Sequence, residues 1–274
     1  MRKIKILLPV LLCAMLLLGC FALPLGPERP EPVPSTEPVT VTITHPETRP
    51  VDTQPTQTAA TIPPTEGPHS PLYLSGLPVE DVIGFFNEVC LSAEYVNSGD
   101  PSVVQKWTGP LIYQVHGDAT DEDLMAVARF TEELNRVHGF PGMREARYPE
   151  EATLDIHFCS HQEFLDLMGD NFYGADGGVT FWYEEDEIYY AIIGIRTDLD
   201  QELRNSVILE ELYNGLGPVQ DTVYRSDSII YSGFSQPQEP TPVDWLILEL
   251  LYHPDMKCSM TRQQCEAVIR GLYY

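Results

Sequence analysis

The segment Leu203-Arg-Asn-Ser-Val-Ile-Leu-Glu210-Glu211-Leu-Tyr-Asn214-Gly-Leu-Gly217 is where residue types and spacing in this 274-residue chain point most directly to chemistry. At about 100° per residue, Leu203, Val207, Glu210 and Asn214 fall within one helical sector of roughly 60°. Glu211 stands beside that sector, and Ile208, Leu209, Leu212 and Leu216 cover the opposite side. A helix apolar on two sides belongs inside a domain. Glu210, Glu211 and Asn214 therefore interrupt a stripe expected to be buried, where carboxylates are costly unless partnered. Three chemistries suit them: a site for a divalent cation, carboxylate acid–base catalysis, or a hydrogen-bonded cluster that fixes the helix.

The same residues carry a resemblance. The segment resembles the active helix of zincin metalloproteases, whose pattern is H-E-x-x-H, often followed by x-x-G and a third ligand. On that pattern Glu210 takes the first His position, Glu211 the general base, Asn214 the second His and Gly217 the turn glycine. The third ligand position falls on Gln220, with Asp221 beside it. More closely, LEELYNGLG together with the later DWLILELLYHPDMKCSMTRQQ resembles a bacterial family known as domain of unknown function 2927. The resemblance implies an α+β, zincin-like domain with a small mixed sheet, an internal helix in the active-site position and C-terminal helices.

It does not imply zinc catalysis. A catalytic zinc takes three N, O or S protein ligands and keeps one position open for water. Here a carboxylate and an amide replace the two imidazoles, a set closer to the taste of a hard ion such as calcium. The expectation is a domain that binds a partner without hydrolysis and without a cofactor. The alternative is a secreted metallohydrolase using a divalent ion at Glu210, Asn214 and Gln220, with Glu211 as its base.

Other candidates weigh less. His157 and His161 are four apart, but the first reads as strand and the second as a helix start, so they are expected to diverge. His116, His138 and His253 fall in separate elements with no spacing signal. Glu184-Glu-Asp-Glu187 lacks the spaced ligands of an EF-hand and reads as a solvated turn. No G-x-S-x-G, P-loop or dinucleotide-binding glycine pattern occurs, which argues against the commonest hydrolase, kinase and dehydrogenase classes.

The elements that must position these residues follow from periodicity. A helix is expected from Val79 to Asn97, with Val82, Phe85, Phe86 and Val89 inward. Residues 103–116 read as strand with a bend at Gly109-Pro110. Thr120 and Asp123 open a second helix through a capping box, carrying Leu124, Val127, Ala128, Leu134 and Val137. Leu154, Ile156 and Phe158 alternate like the inner face of a strand, and a short helix follows over 162–168. Residues 178–183 and 188–196 form a hairpin about the acidic turn. Helices are expected over 200–216, over 243–252 and from Thr261 onward.

Ahead of this domain the composition changes. Arg2, Lys3 and Lys5 precede an apolar run from Ile6 to Leu18, too short to span a bilayer of about 30 Å. It ends in Leu17-Leu-Gly-Cys20, which resembles the lipobox of bacterial lipoproteins. That implies a signal peptide over 1–20, diacylglycerol on the Cys20 thiol, and anchoring to the lipid bilayer of the cell membrane on its extracytoplasmic face. Residues 21–70 hold half of the 24 prolines, ten threonines and a single aromatic, Phe21. They read as a disordered tether, so the domain is assigned to 71–274.

Charge narrows the partners. The chain has 41 Asp+Glu against 16 Lys+Arg, net −25, with the excess acid in the domain itself. Nucleic acid is excluded as a partner, because phosphate binding needs a basic surface. An envelope protein or a glycan remains open. Cys90, Cys159, Cys258 and Cys265, an even count in an exported domain, suggest two disulfides with three possible pairings. Cys258–Cys265 is favoured by its short loop, which leaves Cys90–Cys159.

Overall fold

The computed structural model describes residues 39–41, 76–91, 103–233 and 237–273. The leader, Cys20 and most of the 21–70 segment lie outside these residues. The described part is a mixed α/β domain: a seven-stranded, mostly parallel sheet with six helices.

The strands are β1 (Val39–Val41), β2 (Lys106–Trp107), β3 (Leu111–Gly117), β4 (Met143–Glu145), β5 (Leu154–Cys159), β6 (Gly177–Glu184) and β7 (Glu187–Arg196). The helices are α1 (Val79–Leu91), α2 (Asp121–Leu134), α3 (His161–Met168), α4 (Gln201–Asn214), α5 (Pro242–Leu251) and α6 (Arg262–Tyr273). The sheet runs β1-β6-β7-β5-β3-β4, and β2 pairs in parallel with the start of β7. β4, β3, β5 and β7 are mutually parallel; β6 is antiparallel to β7 and to β1.

Local chemistry accounts for most boundaries. Pro110 cannot continue a ladder, and the chain turns over 108–110 between β2 and β3. Thr120 and Asp123 form the expected capping box, each side chain accepting the other's backbone N–H. The β6–β7 hairpin closes through Glu185 and Asp186, both at positive φ (51° and 65°), the two-residue geometry that matches strand twist. This acidic turn is docked and not merely solvated. Asp186 accepts from Gln105 and from the Ser259 hydroxyl, and Glu187 accepts from Thr108.

Two expectations need correction. Leu124 is exposed and Ala128 faces solvent, because the buried stripe of α2 runs through Ala126, Val127, Phe130 and Leu134. Val39–Val41, placed in the tether, instead form β1 against Val179–Phe181. Alternating Val and Thr favour a pleated strand strongly enough to recruit this piece. α1 is described from Val79 to Leu91, and residues 92–97 of its expected span lie outside the described residues.

The two faces of the sheet are covered unequally. α1, α2, α4, α5 and α6 share one core with the inner face, including Phe86, Phe130, Ile156, Ile193, Ile208 and Leu248. On the outer face α3 and the turn after it make a small separate cluster of Phe164, Met168, Phe172 and Ala175. Adjacent glycines of β6 admit both layers. A Cβ on Gly177 would lie 2.4 Å from Val207 of α4, and one on Gly178 would lie 2.3 Å from Phe172, since successive residues of a strand face opposite ways.

The cysteines also divide by face. All four are free thiols in this structure. Cys90 belongs to the inner core, whereas Cys159 packs with the outer cluster. The sheet separates them, and the expected Cys90–Cys159 pair is not formed. Nor is Cys258–Cys265, whose sulfurs contact different carbonyls, those of Lys106 and Met260.

Candidate functional site

α4 lies on the inner face of β6 and β7, beside α2. Its start is fixed by Asp200, whose carboxylate accepts from the Leu203 N–H. One turn on, the buried Arg204 reaches α2. Its Nε donates to Asp123 Oδ1 at 3.0 Å, Nη1 to the Thr197 carbonyl at 2.9 Å and Nη2 to Gln201 Oε1 at 2.5 Å. Gln201 Nε2 donates to the same Asp123 oxygen at 2.7 Å. Burial pushes the Asp123 carboxyl up, but the Thr120, Gln201 and Arg204 hydrogen bonds outweigh it and hold the group below its usual range. The ion pair thus clamps the beginnings of two helices.

The far end of α4 is closed as firmly. Trp107 Nε1 donates to the Gly215 carbonyl at 2.8 Å, and the Tyr252 hydroxyl donates to the Leu216 carbonyl at 2.7 Å. These bonds satisfy acceptors that a helix C-terminus leaves without partners. Gly217 sits at φ 124°, and a Cβ there would lie 2.5 Å from the Gln105 carbonyl oxygen. The position marked as a turn glycine in sequence is one that only glycine fits.

Between these anchors sit Glu210, Glu211 and Asn214, exposed by 2%, 2% and 0%. The helix does bring them to one buried patch, as its periodicity indicated. Burial, then repulsion from Glu210 and from Asp221, pushes the Glu211 carboxyl well above the usual carboxylate range. Burial thus favours the neutral form of Glu211. One of its oxygens, and both the oxygen and nitrogen of the Asn214 amide, have no hydrogen-bond partner among the described residues.

The loop after α4 rearranges the expected ligand set. Val219 and Gln220 N–H groups donate to the Val89 carbonyl of α1. The Gln220 side chain turns to the Asp221 carbonyl at 3.4 Å. It is the buried Asp221, and not Gln220, whose carboxylate bears on Glu211. The patch does not suit a catalytic zinc. Among the described residues it offers no imidazole or thiolate, its third expected ligand is turned to the backbone, and Glu210, Glu211 and Asn214 are buried.

A different convergence occurs on the outer face. His116 of β3 and His157 of β5 are register partners on neighbouring parallel strands. Their rings stack with centroids 4.4 Å apart and planes 14° from parallel. His116 Nε2 lies 2.8 Å from Asp155 Oδ1, and the Tyr190 hydroxyl of β7 donates to the other Asp155 oxygen. Among the described residues, His116, Asp155 and His157 are the group whose ligand atoms all fall within 4.8 Å of one another. Sequence spacing missed it, since it pairs His157 with the wrong partner. His161 opens α3 and bears on Asp198, while His116 is the residue that meets His157. The only available signal was the alternation placing Asp155 and His157 on one side of β5.

Searches of curated proteins and of solved structures returned no match. A family described as "Protein of unknown function (DUF2927)" matches residues 80–271. That span includes α4, the loop after it and the outer-face histidines, and the chain belongs to this family.

Proposed function

We propose that this protein is a lipid-anchored extracytoplasmic lipoprotein whose zincin-like domain binds an envelope protein or glycan and does not hydrolyse it. One observation carries the non-hydrolytic reading: Glu210, Glu211 and Asn214 are 2%, 2% and 0% exposed, which keeps them from a substrate approaching through solvent. A general base must reach its proton within hydrogen-bonding distance, directly or through one water. Supporting the zincin relationship are the parallel strands, the antiparallel β6 beside the last of them, and the central helix that follows. Supporting a binding role is a cavity of about 310 Å³ between α2, α4 and the segment before α5. Trp245, Arg129, Asn205 and Gln238 help line it, the mix of aromatic face and amide that suits a sugar or a peptide.

The anchor is tested by feeding cells labelled palmitate. Label on the wild-type chain, and its loss with release of the protein in Cys20→Ser, is expected; label unaffected by that change refutes the anchor. For the domain, the purified chain is assayed against a casein substrate. No turnover is expected; turnover that disappears in Glu211→Gln overturns the non-hydrolytic reading and establishes the metallohydrolase alternative.

A further inference from the structure

We propose that His116, Asp155 and His157 bind one divalent ion of the zinc class on the outer face of the sheet. The donor set is two imidazoles and one carboxylate, the combination that transition ions prefer and that calcium and magnesium do not. Placement comes from the fold: neighbouring parallel strands set His116 opposite His157, and the strand period sets Asp155 two residues away on the same face.

The spacing suits an ion. Ligands about 2.0–2.1 Å from a tetrahedral zinc stand about 3.3 Å from one another. His116 Nε2 and Asp155 Oδ1, at 2.8 Å, are already near that separation. The remaining imidazole lies within 4.8 Å of them, so a modest ring rotation closes the set. Tyr190 holds the outer oxygen of Asp155, which fixes the carboxylate's direction as hydrogen-bonded partners of metal ligands do. The His116 side chain is 36% exposed, leaving a side from which the ion enters and at which a fourth ligand, water or a group of a partner, completes it. The acid-rich domain raises the local concentration of cations. Unlike the α4 patch, this group is partly open to solvent and includes imidazoles. It stands or falls independently of the proposed lipoprotein role.

The test uses the untagged, purified chain titrated with Zn²⁺ alone, with Co²⁺ as a coloured substitute. Expected are one equivalent of Zn²⁺ bound, a visible Co²⁺ spectrum displaced by Zn²⁺, and no comparable response to Ca²⁺. His116→Ala and His157→Ala should each weaken binding about 100-fold, and Tyr190→Phe about 10-fold. Circular dichroism of each variant establishes that it is folded. Should His157→Ala not fold, the half-exposed His116→Ala and the Tyr190→Phe variant carry the result. Absence of a stoichiometric Zn²⁺ site in the wild type overturns the proposal, as does binding unchanged in folded His116→Ala.

Discussion

The two faces of one sheet treat polar side chains in opposite ways. On the inner face, under five helices, Glu211 and Asn214 are buried with atoms that lack partners among the described residues. On the outer face, beside one short helix, Asp155 has both oxygens engaged, and the neighbouring His116 is open to solvent. Burial explains the contrast. The polar groups of α4 are enclosed by its neighbours, whereas on the strand face the buried Asp155 is joined to a His116 that stays 36% exposed. In this domain the helix that resembles an active site is buried among its neighbours, whereas the strand face carrying His116, Asp155 and His157 is partly open to solvent.

Substitutions can break or sharpen that contrast. The largest effect is expected for Arg204→Ala, which removes the cation paired with the 0%-exposed Asp123 carboxylate and should lower unfolding free energy by about 3–5 kcal/mol. Denaturant unfolding at pH 7 measures it; a loss below 1 kcal/mol would mean that the inner face tolerates an unpaired charge. Gly177→Ala should follow, at about 1–3 kcal/mol, because its methyl meets Val207 and Glu211 of α4.

Glu211→Gln should act through pH. The folded-state pKa of Glu211 is raised, so between the ordinary value of 4.5 and that raised value the folded chain holds a proton the unfolded chain has released. Stability from this group is complete below pH 4.5 and falls as pH rises, by at most about 1.4 kcal/mol per unit. The Gln variant lacks this decline and should be more stable than wild type at pH 8, with the difference vanishing near pH 4. Equal pH profiles in denaturant melts would show that Glu211 is not kept neutral by burial. The smallest effect belongs to the outer face: Tyr190→Phe without metal should cost about 1 kcal/mol, one hydrogen bond to a carboxylate that keeps His116 as a second partner. A loss as large as that of Arg204→Ala would erase the distinction between the faces.

What was legible in the sequence was local. The Thr120–Asp123 box, the inward Leu154, Ile156 and Phe158, the β6–β7 hairpin and the burial of α4 all rest on periodicities of a few residues, and each appears as expected. The features that were not legible depend on which strand lies beside which. Met143-Arg-Glu145 has no strand pattern of its own and becomes β4 only because β3 offers it an edge. His116 and His157 are 41 positions apart and meet only through parallel register. Short spacing likewise favoured Cys258–Cys265, while the layers of the fold govern where each thiol lies.

The small outer cluster also bears on motion. Phe164, Met168, Phe172 and Ala175 share no core with the five helices opposite, so α3 and its turn can detach while the main core stays intact. Such a layer opens at a free energy below that of global unfolding. The amide protons of 161–168 should then exchange with solvent before those of α4, and β5, which runs straight into α3, inherits a hinge at Ser160. A layer that opens before the main core is thus laid on the same face of the sheet as His116, Asp155 and His157.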